Sequence, residues 1–395
     1  MKYYRNWMQE ANVSKIFIAL DGKARFVGGC VRDAVLNKKV KDIDIATPLF
    51  PEEVIEKLGK YKIKVIPTGI KHGTVTAIIN KKGYEITTLR QDIDCFGRHA
   101  EVKFTDNWQE DAIRRDFTIN AMFATQNGEV FDYFGGIEDL MNKNIRFVGD
   151  AKQRCKEDYL RILRFFRFLT RYGKDPADKE ALIACKLYAP NIKTLSGERI
   201  QVEMFKILES RKCYDSLLLM QETGVMGQLI PGDINLPGLK TLLKFTKIRY
   251  INAITNLAVL IGDNDKIKKE VASSWKLSKK DSSLLMFVSQ NLSIDKRNIK
   301  KLILDYDFIS VLCLAMWQYA NNKIDSDILL EIDALKNWQA PKLPIDGNDL
   351  IKLGLASKGP SVGIALKKAK QLWLDSDFSL TKNSLIKILR KGYGS

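Results

Sequence analysis

Two aspartates spaced one residue apart stand in "KDIDIAT", at Asp42 and Asp44. On a strand, residues two apart face the same side. Both carboxylates would then point one way, with Ile43 and Ile45 turned toward a core. Two carboxylates held a few ångströms apart repel each other unless a cation sits between them. Mg²⁺ suits them, because it is a hard ion that takes carboxylate and phosphate oxygens. A pair of such ions could clamp an attacking hydroxyl and a nucleoside triphosphate for in-line transfer. A solvated strand face is the plainer reading of D-x-D alone. About ten residues upstream lies "RFVGGCVRDAV" (25–35), a strand end, two glycines and a helix start. Gly28 and Gly29 lack a Cβ, so backbone can approach a bulky anion, and Arg32 adds a fixed cation. The segment is neither G-x-x-x-x-G-K-[ST] nor G-x-G-x-x-G. Taken alone it fits a tight turn equally well.

Two further stretches carry charge in unusual places. In "EDAIRRDFTINAM" (110–122), Arg114 and Arg115 end a short helix and Asp116 opens a strand. Such a basic pair could meet a triphosphate tail, or simply complement a helix C-terminus. Residues 155–171, "CKEDYLRILRFFRFLTR", contain no Gly or Pro and read as continuous helix. At about 100° per residue, Asp158 falls in the arc of Ile162, Phe165 and Leu169, and Arg161 flanks it. Residues three apart on a helix can pair. A surface pair should not lie against an apolar stripe, where desolvation is costly. A partner that completes its hydrogen bonds would explain the placement. Arg164, Arg167 and Arg171 fall on the opposite, polar side.

These side chains need a scaffold. Residues 1–150 alternate strand-like runs ("ARFVGG", "KVKDIDIAT", "TVTAII", "YEITTL", "FTINAMFA") with helical ones ("CVRDAVLN", "PEEVIEKLGK"). The β-branched runs bounded by Gly, Pro or charge predict strands. From about residue 151 strand signals fade. Amphipathic segments follow at 153–172, 178–189, 197–210, 213–225, 237–262 and 266–292, and the pattern continues to "SLIKILRKGYG". The 395 residues suffice for two or more domains. Lys and Arg number 64 against 47 Asp and Glu, a net charge of +17. That excess points to a polyanionic partner, nucleic acid first, unless it reflects an organism-wide Lys bias. The two His, His72 and His99, exclude a His-rich metal site. The six Cys show no C-x-x-C or zinc-like spacing, which predicts reduced thiols and a cytoplasmic location. No apolar run reaches the ~18 residues of a membrane span, and the N-terminus shows no export or transit signal.

Taken in order, the motifs resemble those of bacterial class II tRNA nucleotidyltransferases, the CCA-adding enzymes of the polymerase β-like superfamily. "FVGGCVRDAV…KDIDIAT" resembles the first motif, "RRDFTINAM" the second, "FDYFGGIEDL" the third, "EDYLRILRFFRF" the fourth and "SGERIQVEMFKIL" the fifth. The match runs from about residue 24 to 210. "GIKHGTVTAII" and "GRHAEVKFTDNWQED" resemble the surroundings of the family's mobile loop. The resemblance implies an α+β fold: a nucleotidyltransferase head with a mixed sheet (1–146), then an all-α neck (147–212), body (213–300) and tail (301–395). It assigns Asp42 and Asp44 to the metal. It assigns Gly29, Arg32, Arg115, Asp158, Arg161, Arg164 and Arg167 to the nucleotide, with Asp158 and Arg161 templating the incoming base. The neck would read the base, and the body and tail would hold tRNA. The implied reaction adds C, C and A to tRNA from CTP and ATP with Mg²⁺, without obligate protein partner. A-adding, CC-adding and poly(A)-polymerase activities share the head motifs. A catalytically dead RNA-binding protein would lack the D-x-D, which is intact.

Overall fold

The computed structural model describes residues 2–96, 99–290 and 292–391. Gly97 and Arg98, which open the second loop-like segment, and Gly392–Ser395, which follow the last helix, lie outside the described residues. So does the side chain of Cys95. The chain divides into two compact units, one of residues 1–232 with 270–277, the other of 233–269 with 278–395.

The first unit is built on a seven-stranded sheet. Its strands are β1 (Arg25–Val27), β2 (Asp44–Thr47), β3 (Lys64–Gly69), β4 (Thr74–Ile79), β5 (Lys82–Thr88), β8 (Met122–Ala124) and β9 (Val130–Asp132). The order is β3-β4-β5-β2-β1-β8-β9. The sheet is mixed: β2 and β5 are parallel and the other pairs antiparallel. β6 (Arg90–Phe96) and β7 (His99–Phe104) form a separate antiparallel hairpin. Helices α1 (Ala11–Ala19), α2 (Gly29–Val35), α3 (Pro51–Lys60), α4 (Trp108–Ile113) and α5 (Gly136–Met141) complete this α+β head. The "FTINAMFA" strand forms only over its second half. Thr118–Asn120 make a turn of 3₁₀ helix instead, so Asp116 lies in a loop rather than opening a strand.

Helices follow: α6 (Ala151–Glu157), α7 (Leu160–Tyr172), α8 (Lys179–Tyr188), α9 (Gly197–Leu208), α10 (Cys213–Glu222) and α11 (Val225–Leu229). The apolar face of α7 buries Ile162, Leu163, Phe165, Phe166 and Phe168. Phe117 and Phe147 pack against that face, Phe117 edge-on to Phe168 with centroids 5.1 Å apart and Phe147 stacked on Phe165 at 5.9 Å. Each buried ring contributes about 2–3 kcal/mol, so α7 is fixed to the sheet that carries Asp44. At the start of α9, a Cβ on Gly197 would lie 2.0 Å from the Ser274 carbonyl oxygen, so only glycine permits the approach.

The second unit is all helical in its described residues. The helix Ala253–Ile261 is buried along its whole length, and Trp317 of the helix Phe308–Ala320 donates its indole N–H to the Ala258 carbonyl at 3.2 Å. A separate core of Leu350, Ala365, Ala369, Trp373, Leu385 and Leu389 joins the last three helices. The long segments 237–262 and 266–292 each divide into two helices. No helix among the described residues is long and apolar enough to cross a membrane.

Candidate active site

β2 begins at Asp44, which lies in register opposite Glu85 of parallel β5. Asp42 precedes the strand and is exposed. The expectation of two carboxylates on one strand face is therefore corrected: Asp44 alone is held by the sheet, and Asp42 stands on the loop leading to it. They still share a field. Burial lifts the Asp44 carboxyl above its ordinary range, the carboxylates of Glu85 and Asp42 add to the rise, and the Arg115 guanidinium opposes them. A divalent cation would relieve that crowding, and the donors are all hard oxygens. Among the described residues no three His, Cys, Asp or Glu side chains are grouped to hold a metal by themselves. A cation here would take further oxygens from substrate and water.

Asp44 lines a cavity of about 460 Å³ together with Gly28, Gly29, Arg32, Arg115, Asp158, Arg161 and Arg164. So seven of the nine residues that the resemblance assigns to metal or nucleotide, all but Asp42 and Arg167, meet in one place. Gly28 has φ +70°, a conformation costly for residues with a Cβ, and so turns β1 sharply into α2. Arg32 on α2 is buried. It donates to Asp33 at 3.0 Å and Asn120 at 2.6 Å, and stands over the Tyr172 ring at 4.5 Å. Arg115 is positioned by Asp111, whose Oδ2 it meets at 2.8 Å, while Arg114 holds Oδ1 at 2.7 Å. Burial works to raise the Asp111 carboxyl, but the two guanidiniums outweigh it and hold it below the ordinary value.

The helix expected across 155–171 is broken. Asp158 is extended (φ −152°, ψ 107°) between α6 and α7, and its Oδ1 accepts the Leu160 N–H at 3.1 Å. A short carboxylate competes with helical hydrogen bonding in this way. Asp158 is thus off the apolar stripe, facing the cavity. Nor do Asp158 and Arg161 form the expected side-chain pair. Asp158 Oδ2 accepts from Arg199 of α9 at 2.6 Å. Arg161 donates to Glu157 at 2.5 Å and to the Arg154 and Arg114 carbonyls, both at 3.1 Å. Each keeps unused capacity toward the cavity, since a carboxylate accepts about four hydrogen bonds and a guanidinium donates five.

The later arginines also divide. Arg164 does not sit on a polar outer face; it donates through Nε at 2.7 Å to Asp116, whose other oxygen accepts from Asn120 at 3.1 Å. Arg167 pairs with Glu203 of α9 at 3.0 Å and lines an adjacent cleft, not the cavity of Asp44.

Residues 24–146 match the poly A polymerase head domain, and residues 177–233 match the probable RNA and SrmB-binding site of polymerase A. The chain is 34% identical over 394 residues to the mitochondrial CCA tRNA nucleotidyltransferase 1 of Danio rerio, covering 95% of this chain and 89% of that protein. It is 32% identical to the CCA-adding enzyme of Leuconostoc citreum, covering 93% and 92%. This chain belongs to the CCA-adding tRNA nucleotidyltransferase family. Its fold superposes on the Bacillus stearothermophilus CCA-adding enzyme in complex with CTP with a TM-score of 0.75 at 25% identity, covering 98% of each chain. The chain is accordingly an enzyme of the nucleotidyltransferase class.

Several residues that line this family member's cavity or hold its lining in place escaped the sequence reading. Asn120 bridges Arg32 and Asp116, Arg199 holds Asp158, and Glu157 holds Arg161. Arg199 and Asn120 stand inside quoted motifs, but only the fold shows what they touch. Glu85 gave no local signal, because its nearness to Asp44 depends on the β2–β5 register.

Proposed function

We propose that this enzyme adds C, C and A to the 3′ end of tRNA from CTP and ATP, without a nucleic-acid template, releasing pyrophosphate. The observation that supports it is one cavity that joins the Asp44 carboxylate, the Arg32 and Arg115 cations, and the Asp158 and Arg161 side chains. On this reading Asp42 and Asp44 hold Mg²⁺. Bound there, two such ions would activate the RNA 3′ hydroxyl and screen the charge of the departing pyrophosphate. The turn at Gly28 and Gly29 leaves room for phosphate beside Arg32. Arg115, held by Asp111, faces the same space and neutralises phosphate charge. The five described thiols for which burial is known (Cys30, Cys155, Cys185, Cys213 and Cys313) are free and buried, in keeping with a reducing cytoplasm.

Base choice follows from donor and acceptor inventories. An ionised Asp only accepts and an Arg only donates. The Watson–Crick edges of C and A each offer an exocyclic amine and a ring-nitrogen acceptor. U and G present a carbonyl oxygen and a ring N–H instead. Asp158 and Arg161 together admit C and A. A wrong base would leave a desolvated charge unpaired. Asp158→Ala and Arg161→Ala are therefore expected to lower discrimination against UTP and GTP by about tenfold to a hundredfold. Selectivity at the wild-type level with only a lowered melting temperature would show that both residues act structurally.

The assay that tests the reading supplies a tRNA lacking its tail with CTP and ATP and measures product length and composition. Growth by three residues, CCA, is expected. A long A tract would mean a poly(A) polymerase; growth by CC or A alone would mean a partial activity. The full segment between Arg90 and Arg114, which resembles the surroundings of the family's mobile loop and includes the β6–β7 pair, argues against a CC-only enzyme.

A further inference from the structure

Arg171 lies outside the cavity of Asp44. On the far side of Arg32 and Phe168 opens a second cleft of about 630 Å³, lined also by Lys41, Arg167, Arg171 and Lys206. Arg32 and Arg167 have carboxylate partners in Asp33 and Glu203. Among the described residues Lys41, Arg171 and Lys206 form no ion pair, and all three are exposed. Glu209 is the one carboxylate among the described lining residues. The basic track does not stop there. Thr170 also lines a neighbouring cavity of about 330 Å³ that presents Lys174 and Lys212, partly offset by Asp175 and Asp215. The field of the track reaches Lys38, whose ammonium is held below its ordinary range by burial, with Arg171, Arg32 and Lys212 adding to the depression against the pull of Asp33.

Resting on the CCA-adding reading, we propose that this track binds the sugar–phosphate backbone of the RNA acceptor strand and leads its 3′ end to Asp42 and Asp44. Lys41 is adjacent in sequence to Asp42, so a strand with its terminal hydroxyl at the carboxylates meets Lys41 first. A track running through two cavities exceeds what a pyrophosphate leaving group needs. Lys41, Arg171, Lys174, Lys206 and Lys212 are exposed along it and placed to meet phosphates, which fix position without reading sequence. The family-matched nucleotide side lies beyond Arg32, so the two substrates approach that residue from opposite sides.

The test compares full-length wild type with Arg171→Gln/Lys206→Gln and with Lys174→Gln/Lys212→Gln. The expected result is a KM for tailless tRNA raised about tenfold, with kcat and the KM for CTP unchanged. The slope of log KM against log salt should fall by about 0.7 to 0.9 for each phosphate that a variant no longer neutralises. Unchanged tRNA KM and salt slope in both variants would overturn the proposal. So would a raised KM for CTP or weakened inhibition by pyrophosphate, since either assigns the cleft to the triphosphate. If wild type transfers nothing to tRNA, the functional reading fails instead. Nucleotide-free binding of the same tRNA to wild type and variants then decides the track by itself, with weaker binding by the variants expected.

Discussion

Asp44→Asn is expected to abolish nucleotide transfer, with kcat lower by about 10³-fold or more, roughly 4 kcal/mol of transition-state stabilisation. The same substitution is expected to leave the melting temperature unchanged or slightly higher. The two effects have one origin. Burial, Glu85 and Asp42 all disfavour the ionised Asp44 in the metal-free fold, and only Arg115 favours it. A neutral amide of the same shape removes that unfavourable charge while removing the hard anionic oxygen a metal needs. Mg²⁺ should raise the melting temperature of wild type by mass action and do so less in the variant. Asp42→Ala should also silence transfer, but with a smaller change in thermal stability, since Asp42 is exposed. Turnover near wild type in either variant would remove these carboxylates from the chemistry. A fall in melting temperature with Asp44→Asn would instead make its role structural.

How much of this site was visible beforehand differs by residue for physical reasons. The glycine turn and the D-x-D announce themselves, because a positive-φ Gly28 and a carboxylate at a strand end are demands made within a few residues of chain. The strands "TVTAII" and "YEITTL" and the helix "PEEVIEKLGK" form where local pattern places them. Periodicity failed at Asp158. No Gly or Pro marks the break, and the helix yields because one carboxylate finds two better partners, the Leu160 N–H and Arg199, the second 41 residues away. Arg164 was misplaced for the same kind of reason. A helical wheel assigns an arginine to solvent by default, and only tertiary structure supplies Asp116, 48 residues distant.

Asp116 is a residue whose loss should destabilise the first unit. Its two oxygens accept from Arg164, from Asn120 at 3.1 Å and from the Phe117 N–H at 2.9 Å. Asn120 in turn accepts from Arg32 at 2.6 Å, and the Tyr172 hydroxyl donates to Asp33 at 3.0 Å. One carboxylate thus links the second motif to α7, and through Asn120 to the first motif. Asp116→Ala strands the Arg164 guanidinium and leaves the Asn120 amide and the Phe117 N–H without this acceptor. The pair is only partly buried, with Arg164 32% exposed, so breaking it costs less than a fully buried pair would, about 2 kcal/mol, which lowers the melting temperature by roughly 5 °C for a unit of this size. Asp116→Ala/Arg164→Met should recover much of that loss, because the stranded charge leaves with its partner. The pH dependence has a fixed sign. Burial works to raise the Asp116 carboxyl, but the Arg164 charge and the hydrogen bonds from Asn120 and Arg164 outweigh it, holding it below the ordinary carboxylate range. The fold therefore binds fewer protons than the unfolded chain at this group. Its contribution is complete above the ordinary carboxylate value and disappears as pH falls through the lowered one. The melting temperature should hold from pH 6 to about pH 4 and then fall as pH drops below the ordinary carboxylate value, more steeply in wild type than in Asp116→Asn. If the two profiles run parallel, or if Asp116→Ala melts with wild type, the ion pair is not what fixes α7 to the head, and the buried phenylalanine stack alone must do so.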